Sequence, residues 1–134
     1  MSAGENNITR VLFVCLGNIC RSPMAEAVFC AEIKKLQLSG KFEVDSAGTA
    51  AYHVTLKDFE RFDHILCMDM SNLSDLKDMK PKGSKAKVAL FGSYDPEGQR
   101  IINDPYYGGK SGFETNYHQI VRSSFGFLKH LGYN

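Results

Sequence analysis

The sequence has no long apolar run, no excess of charge of either sign and no dense set of cysteines. No stretch approaches the roughly 20 apolar residues that a transmembrane helix needs, and the first residues lack the basic flank and apolar segment of a signal peptide. With 16 basic and 15 acidic residues, the formal net charge is +1. This balance gives no reason to expect general binding to nucleic acid or to an anionic membrane. Any affinity for an anionic partner must therefore come from a local site.

The four cysteines, Cys15, Cys20, Cys30 and Cys67, show neither the close spacing of a zinc site nor clustering with the four histidines. A disulfide framework is not expected in a chain with 43% hydrophobic residues. Free thiols suit a reducing compartment, so we expect a cytoplasmic protein. The length of 134 residues, without a repeat or linker, predicts one domain over residues 1–134.

Strand patterns alternate with helix patterns along the chain. The apolar run from Arg10 to Cys15 predicts a strand that is buried on both faces, and further strands are predicted at 42–46, 64–68 and 87–91. Helices are predicted to start at Ser22, near Lys57, at Ser71 and near Phe113. The last of them has a predicted buried stripe of Phe113, Tyr117, Ile120, Val121, Phe125 and Leu128. This order predicts an α/β fold: an open, four-stranded, mainly parallel twisted sheet flanked by helices, with function at the carboxyl ends of its strands.

The loop between the first strand and the first helix begins with a nucleophile, Cys15, and ends with a cation, Arg21. A short loop at a helix N-terminus turns its amides inward and forms an anion-binding nest. The residues of the predicted nest are Leu16, Gly17, Asn18, Ile19 and Cys20. Arg21 offers a planar fork of donors to two phosphate oxygens. These positive surroundings favour the thiolate form of Cys15, to which the Ser22 hydroxyl can donate a hydrogen bond. The loop predicts a phosphate-monoester site.

Five segments of the chain carry a resemblance to a known family. They are Val11–Phe29, Asp45–Thr49, Asp58–Asp69, Phe91–Pro96 and Asp104–Gly108. In this order they resemble the low-molecular-weight protein tyrosine phosphatases over most of the chain. A cysteine followed by an arginine six positions later would be a weak signal alone. The Ser-Pro pair that follows it and the distant Asp-Pro-Tyr-Tyr make the resemblance specific.

The resemblance implies hydrolysis of phosphotyrosine and small aryl phosphates through a phosphocysteine intermediate, without a metal or other cofactor. Cys15 would attack phosphorus, and Asp104 would protonate the leaving phenolate and later activate water. A bound phosphate dianion would favour the protonated form of Asp104 in the first step. In the family, the positions of Asn18 and Ser46 support the loop, and those of Tyr52 and Tyr106 line the pocket mouth. The implied partners are phosphotyrosine-containing proteins, with inorganic phosphate as product.

The chain departs from the family after Val54, where a helix-containing segment is missing together with a histidine that helps to organise the phosphate loop. Residues 47–63 could extend to about 55 Å, and a crossover of two strand spacings needs only about 10 Å, so the fold can close. The missing helix is expected to uncover apolar sheet surface, and so to lower stability or promote self-association. The chain is either a real shortened form or a sequence from which disordered residues are omitted.

Several alternatives stay open at this point. A real deletion allows a catalytically impaired, phosphate-binding regulator. An arsenate reductase of the same fold is less favoured, because it needs further redox cysteines and Cys67 lies inside a predicted strand. Cys20 either packs in the loop or forms a protective disulfide with Cys15. Tyr106 and Tyr107 are either structural aromatics or sites of phosphorylation.

Overall fold

The computed structural model describes residues 8–17, 21–49, 53–104 and 109–133. Strands and helices alternate, as the sequence pattern predicts. The strands are β1 (Thr9–Cys15), β2 (Phe42–Gly48), β3 (His64–Cys67) and β4 (Lys87–Leu90). The helices are α1 (Arg21–Lys35), α2 (Leu56–Arg61), α3 (Met70–Met79) and α4 (Gly109–His130), and short 3-10 turns occupy Ser39–Lys41 and Phe91–Tyr94. Within the described ranges, no helix is long and apolar enough to span a bilayer.

The four strands form one parallel sheet in the order β2-β1-β3-β4. The predicted four-stranded α/β fold is confirmed, and the connection from β2 to β3 passes over β1. Cys15 pairs with Gly48 of β2, and Val14 pairs with Cys67 of β3. The carboxyl ends of these strands therefore meet at one edge of the sheet, where ligands bind in open parallel sheets.

One face of the sheet packs against α1 and α4. Phe13 of β1 is fully buried there between Phe29 of α1 and Phe91. Both aromatic contacts are edge-to-face, with ring centroids 5.7 Å and 4.9 Å apart, an arrangement that aromatic quadrupoles favour. This core fixes α1 behind the strand that ends in Cys15.

The other face of the sheet is covered by α3, α2 and the short segment before α2. Leu12 and Val14 of β1 pack there in one cluster with Val54, Phe59 and Phe62, and all five side chains are buried. The expectation of bare apolar sheet surface is therefore wrong for the described strands. The short crossover supplies enough apolar side chains to cover β1. Self-association stays a prediction, but it loses this driving force.

On the same face, the edge strand β2 carries charge instead of apolar surface. Glu43 of β2 pairs with Arg10 at 3.4 Å and with Arg61 at 2.9 Å. A charged edge strand also resists pairing with another chain.

The long helix α4 is rotated relative to the predicted stripe. Ile120 and Leu128 are buried and Val121 is half-buried, as predicted. The three aromatic residues of the predicted stripe, Phe113, Tyr117 and Phe125, are instead 42–48% exposed. In their place, the buried face of α4 includes Asn116, Gln119, Ser123, Ser124 and Phe127. The physical reason is that α4 packs against a loop with backbone carbonyl groups, which need hydrogen-bond donors and not an apolar stripe.

Candidate active site

The sulfur of Cys15 lies at the carboxyl end of β1, directly beside the first turn of α1. Cys15 is 3% exposed and Ser22 is fully buried. Their Sγ and Oγ atoms are 3.0 Å apart, and either atom could be the donor. The Ser22 hydroxyl is also 3.5 Å from the Ala47 carbonyl, to which it can donate. When the sulfur is ionised it can only accept, so the hydroxyl then donates to it.

Arg21 is the first residue of α1, and its guanidinium is almost completely buried. Its Nη1 donates to the Asp69 carboxylate at 2.7 Å and to the Ile102 carbonyl at 3.0 Å. A buried charge needs such partners to offset its desolvation. These two contacts use only Nη1, and a guanidinium carries further donors on Nε and Nη2. The fork of Arg21 is thus fixed from one side by protein groups.

Asp69 is a site residue that sequence reasoning missed. The sequence predicts Ser71 as the cap of α3, but the helix begins at Met70 and its N-cap is Asp69. One carboxylate oxygen accepts from the backbone N–H of Asn72 at 2.9 Å, and the other accepts from the Arg21 guanidinium. A signal was available, because Asp69 follows a predicted strand at the sheet edge where Cys15 lies.

Asp104 is half-buried and follows a segment that is bonded on several sides. We call residues Ile101, Ile102 and Asn103 the 101–103 segment. The three carbonyls accept in turn from Gln119 at 3.0 Å, from Arg21 at 3.0 Å and from Asn116 at 2.8 Å. The Ile102 amide donates to the Met68 carbonyl at 2.9 Å. The candidate general acid is therefore held at the end of a fixed stretch of backbone, one residue away from the last of these contacts.

Of the other predicted site residues, some are described by the structure and the rest lie outside the described ranges. Leu16 and Gly17 follow Cys15, and the Leu16 side chain is 51% exposed. Ser46 lies on β2 and its hydroxyl donates to the Glu26 carboxylate of α1 at 2.7 Å. The predicted residues Asn18, Ile19, Cys20, Tyr52, Tyr106 and Tyr107 lie outside the described residues. The described part of the site thus joins Cys15, Arg21 and Ser22 to the approach to Asp104.

The two cysteines of the core, Cys30 and Cys67, differ from Cys15 in their surroundings. Burial, and then the nearby Asp69 carboxylate, raise the pKa of Cys67 to about 12, and its thiol donates to the Ala89 carbonyl at 3.5 Å. Burial, followed by the charge of Glu26, also raises the pKa of Cys30. Thiols that resist ionisation are poor nucleophiles, so neither residue suits a redox relay.

Comparisons with known proteins give the family to which the chain is similar. The family model described as low molecular weight phosphotyrosine protein phosphatase matches residues 10–58 and 50–134. The protein of that name from Homo sapiens is 47% identical, over 93% of this chain and 97% of the relative.

Solved structures agree with the fold as well as with the sequence. A protein tyrosine phosphatase from Entamoeba histolytica superposes with a TM-score of 0.87 at 31% identity, over 92% of this chain and 96% of that one. The Drosophila arginine phosphatase gives a TM-score of 0.84 at 34% identity, over 92% and 98% of the two chains.

The same comparisons locate the missing segment. The two matched ranges of the family model overlap at residues 50–58. The alignment with the human relative has 153 positions, more than the 134 residues of this chain. Both observations agree with an internal gap near Val54. The matched ranges cover the chain on both sides of this gap, and they contain the positions of Cys15, Arg21 and Asp104. The chain belongs to the low molecular weight phosphotyrosine protein phosphatase family.

Proposed function

We propose that this chain hydrolyses phosphotyrosine and small aryl phosphates, with Cys15 as nucleophile, Arg21 as phosphate ligand and Asp104 as general acid and base. The observation that carries the proposal is the 3.0 Å contact between the Cys15 sulfur and the Ser22 hydroxyl at the start of the helix whose first residue is the buried Arg21. Family membership supports the reaction class and the choice of phosphotyrosine. The substrates are phosphotyrosine-containing proteins of the cytoplasm.

In the first step, the Cys15 thiolate attacks phosphorus and forms a sulfur–phosphorus bond while the bond to the phenol oxygen breaks. Asp104 transfers its proton to that oxygen, so the leaving group departs as a neutral phenol. Arg21 and the amides of Leu16, Gly17, Asn18, Ile19 and Cys20 stabilise the negative charge on the phosphoryl oxygens. Tyr52 and Tyr106 contact the aromatic ring of the substrate.

In the second step, water attacks the phosphocysteine and Asp104 takes up one of its protons. The sulfur–phosphorus bond breaks, inorganic phosphate leaves and the Cys15 thiolate is restored. The Ser22 hydroxyl stabilises this thiolate as a leaving group by donating a hydrogen bond to it. Asn18 and Ser46 hold the loop in shape during both steps.

Two alternatives are less well supported. A catalytically impaired regulator would follow if the missing segment held the site together, but the described partners of Arg21 are Asp69 and Ile102, which lie outside it. An arsenate reductase needs a relay of reactive thiols, and the pKa of Cys67 is raised to about 12 by its burial.

The test is hydrolysis of a phosphotyrosine peptide and of p-nitrophenyl phosphate by the 134-residue chain with its mass verified. We expect Cys15→Ser to reduce turnover to background. Cys30→Ser is the matched control, because it removes a half-buried thiol of α1 outside the site, and it should keep turnover. Full activity of Cys15→Ser would refute the nucleophile, and binding of vanadate without turnover by the unaltered chain would favour the regulator. A phosphoarginine peptide that is hydrolysed faster than the phosphotyrosine peptide would overturn the substrate class.

A further inference from the structure

We propose that Asn116 and Gln119 of α4 are positioning residues that fix Asp104 for proton transfer by holding the backbone of the 101–103 segment. The proposal rests on the role given to Asp104 above, and it assigns a function to two buried amides that make no described contact with Cys15 or Arg21.

The bonding of the 101–103 segment is unusually complete for a loop. Three successive carbonyls each accept a hydrogen bond from a side chain, at 3.0, 3.0 and 2.8 Å. Two of the donors, Gln119 and Asn116, come from α4, and the third, Arg21, comes from α1. The central amide, that of Ile102, donates to the carbonyl of Met68, the residue that follows β3. The segment is therefore held at once by α1, by α4 and by the residue that follows β3.

The two α4 amides occupy positions at which the core would otherwise accept apolar side chains. Asn116 is 3% exposed and Gln119 is 4% exposed. Burial of an amide group destabilises the fold unless the amide is hydrogen-bonded. Both find their acceptors in the 101–103 segment, and Gln119 also donates to the Gln99 side chain at 3.4 Å. Their burial is explained by these contacts.

A third contact of the same helix face fixes the start of the loop. Arg122, three residues after Gln119, makes a two-pronged ion pair with the buried Asp95 carboxylate at 2.9 and 3.0 Å. Residues 116, 119 and 122 are spaced three apart, so they lie along one face of α4. This face runs beside the loop and contacts Asp95 first and Asn103 last. The loop to Asp104 is thus bonded to α4 along its length.

The consequence concerns proton transfer more than phosphate binding. Asn103 is the residue before Asp104, so its carbonyl belongs to the peptide plane that leads into the general acid. General acid catalysis needs the carboxyl group within hydrogen-bond reach of the leaving oxygen, and a displacement of about 1 Å can reduce the rate greatly. Asn116 donates to this peptide plane, whereas Arg21 donates to the carbonyl of the residue before it. Loss of Asn116 should therefore affect the departure of the phenol and leave the phosphate cradle in place.

The missing segment near Val54 is not needed for this arrangement. The 101–103 segment is anchored to α1, to Met68 after β3 and to α4, all of which lie outside the gap. The shortened chain therefore keeps the means of holding Asp104.

The test compares kcat/KM for phenyl phosphate, a poor leaving group, with kcat/KM for p-nitrophenyl phosphate, a good one. General acid catalysis contributes about 10²–10⁴-fold, so for Asn116→Leu we expect a loss on the order of 10-fold with phenyl phosphate and less than about 3-fold with p-nitrophenyl phosphate. Gln119→Leu should act in the same direction. Inhibition by vanadate should change by less than about 2-fold, because the contacts of Cys15 and Arg21 remain.

The controls separate positioning from stability. Thr115→Val removes the 2.9 Å hydrogen bond to the Ser111 carbonyl at an exposed neighbouring position of α4. It should leave kcat/KM unchanged with both substrates. Asn116→Asp keeps the shape of the side chain and has no donor when its carboxyl group is ionised, so at neutral and higher pH it should reproduce the leaving-group effect of Asn116→Leu even if the leucine variant folds poorly. In an Asp104→Ala background, Asn116→Asp should add no further leaving-group dependence, because the carboxyl group that Asn116 positions is absent.

Two results would overturn the proposal: an equal loss with both substrates in Asn116→Asp, or a leaving-group effect that persists in the Asp104→Ala background. These results are distinct from failure of the proposed function. If the unaltered chain is inactive, or if Asp104→Ala itself shows no leaving-group dependence, the role of Asp104 is wrong. If that dependence is present and Asn116→Asp matches the unaltered chain, only the positioning role is wrong.

Discussion

Replacement of Asp69 tests how the active-site arginine is held. Asp69 has two separable tasks, because one oxygen caps α3 through the Asn72 amide and the other accepts from Arg21 at 2.7 Å. Asp69→Ala removes both contacts. Asp69→Ser removes the charge but keeps an oxygen that can cap the helix, since serine is a favoured N-cap residue. The difference between the two variants isolates the cap from the ion pair.

The magnitudes follow from the exposure of the two partners. A hydrogen bond to a charged group contributes about 2 kcal/mol, and loss of a helix cap costs about 1 kcal/mol. Loss of one partner of a fully buried ion pair costs about 3–5 kcal/mol. Because the Asp69 side chain is 26% exposed, we use the smaller value of about 2 kcal/mol for its contact with Arg21. We therefore expect Asp69→Ala to lower the free energy of unfolding by about 3 kcal/mol, and Asp69→Ser by about 2 kcal/mol.

The kinetic effect of Asp69→Ser should appear in phosphate binding. Arg21 would keep the Ile102 carbonyl but lose the partner that orients its guanidinium, so kcat/KM should fall on the order of 10-fold with good and poor leaving groups alike. Vanadate inhibition should weaken in parallel. Asp75→Ser, which removes an exposed carboxylate from the same helix, is the matched control. Urea denaturation and steady-state kinetics measure the two effects, and unchanged vanadate inhibition in Asp69→Ser would refute this account of Arg21.

Three further predictions concern the packing of the fold. His64 is buried, its Nδ1 has no hydrogen-bond partner within the described ranges, and burial above all lowers its pKa from 6.5. The unfolded chain then takes up the proton more readily, so the free energy of unfolding should fall as pH drops below about 6.5, and His64→Leu should flatten that slope in urea titrations at several pH values. Gly126→Ala should lower the free energy of unfolding by more than about 2 kcal/mol, because the added methyl group meets the Tyr94 carbonyl, and an unchanged denaturation midpoint would contradict the packing. Arg122→Met should cost about 3 kcal/mol, since it leaves the Asp95 carboxylate buried without its cation, and a change below 1 kcal/mol by the same assay would contradict it.

The parts of the site that the sequence predicted without the family resemblance are those whose residues are close together along the chain. The apolar run before Cys15 predicts a buried strand, which the structure confirms, and Arg21 with Ser22 begins the helix that follows. Local geometry then brings the sulfur, the hydroxyl and the guanidinium to the same edge of the sheet. A parallel sheet followed from the alternation of strands and helices, since parallel strands need crossover connections.

The orientation of α4 could not be predicted from its own residues. A helical period fits the exposed Phe113, Tyr117 and Phe125 as well as it fits buried positions, and Asn116 and Gln119 read as surface residues. What decides between the two faces is the neighbouring loop, whose carbonyls need donors. Asp69 was missed for a similar reason, because its partner Arg21 lies 48 residues away.

The sequence by itself determined the α/β fold, the loop from Cys15 to Arg21 and the identity of the candidate acid, Asp104, because each is encoded by a local pattern or by a motif. Only the tertiary structure decided how Arg21 and Asp104 are held in place. Their supporting contacts join α1, α4 and the residues that follow β3 through single hydrogen bonds between residues that are not neighbours in sequence. Such contacts depend on how the helices are packed against the sheet, and no periodicity in the chain records them.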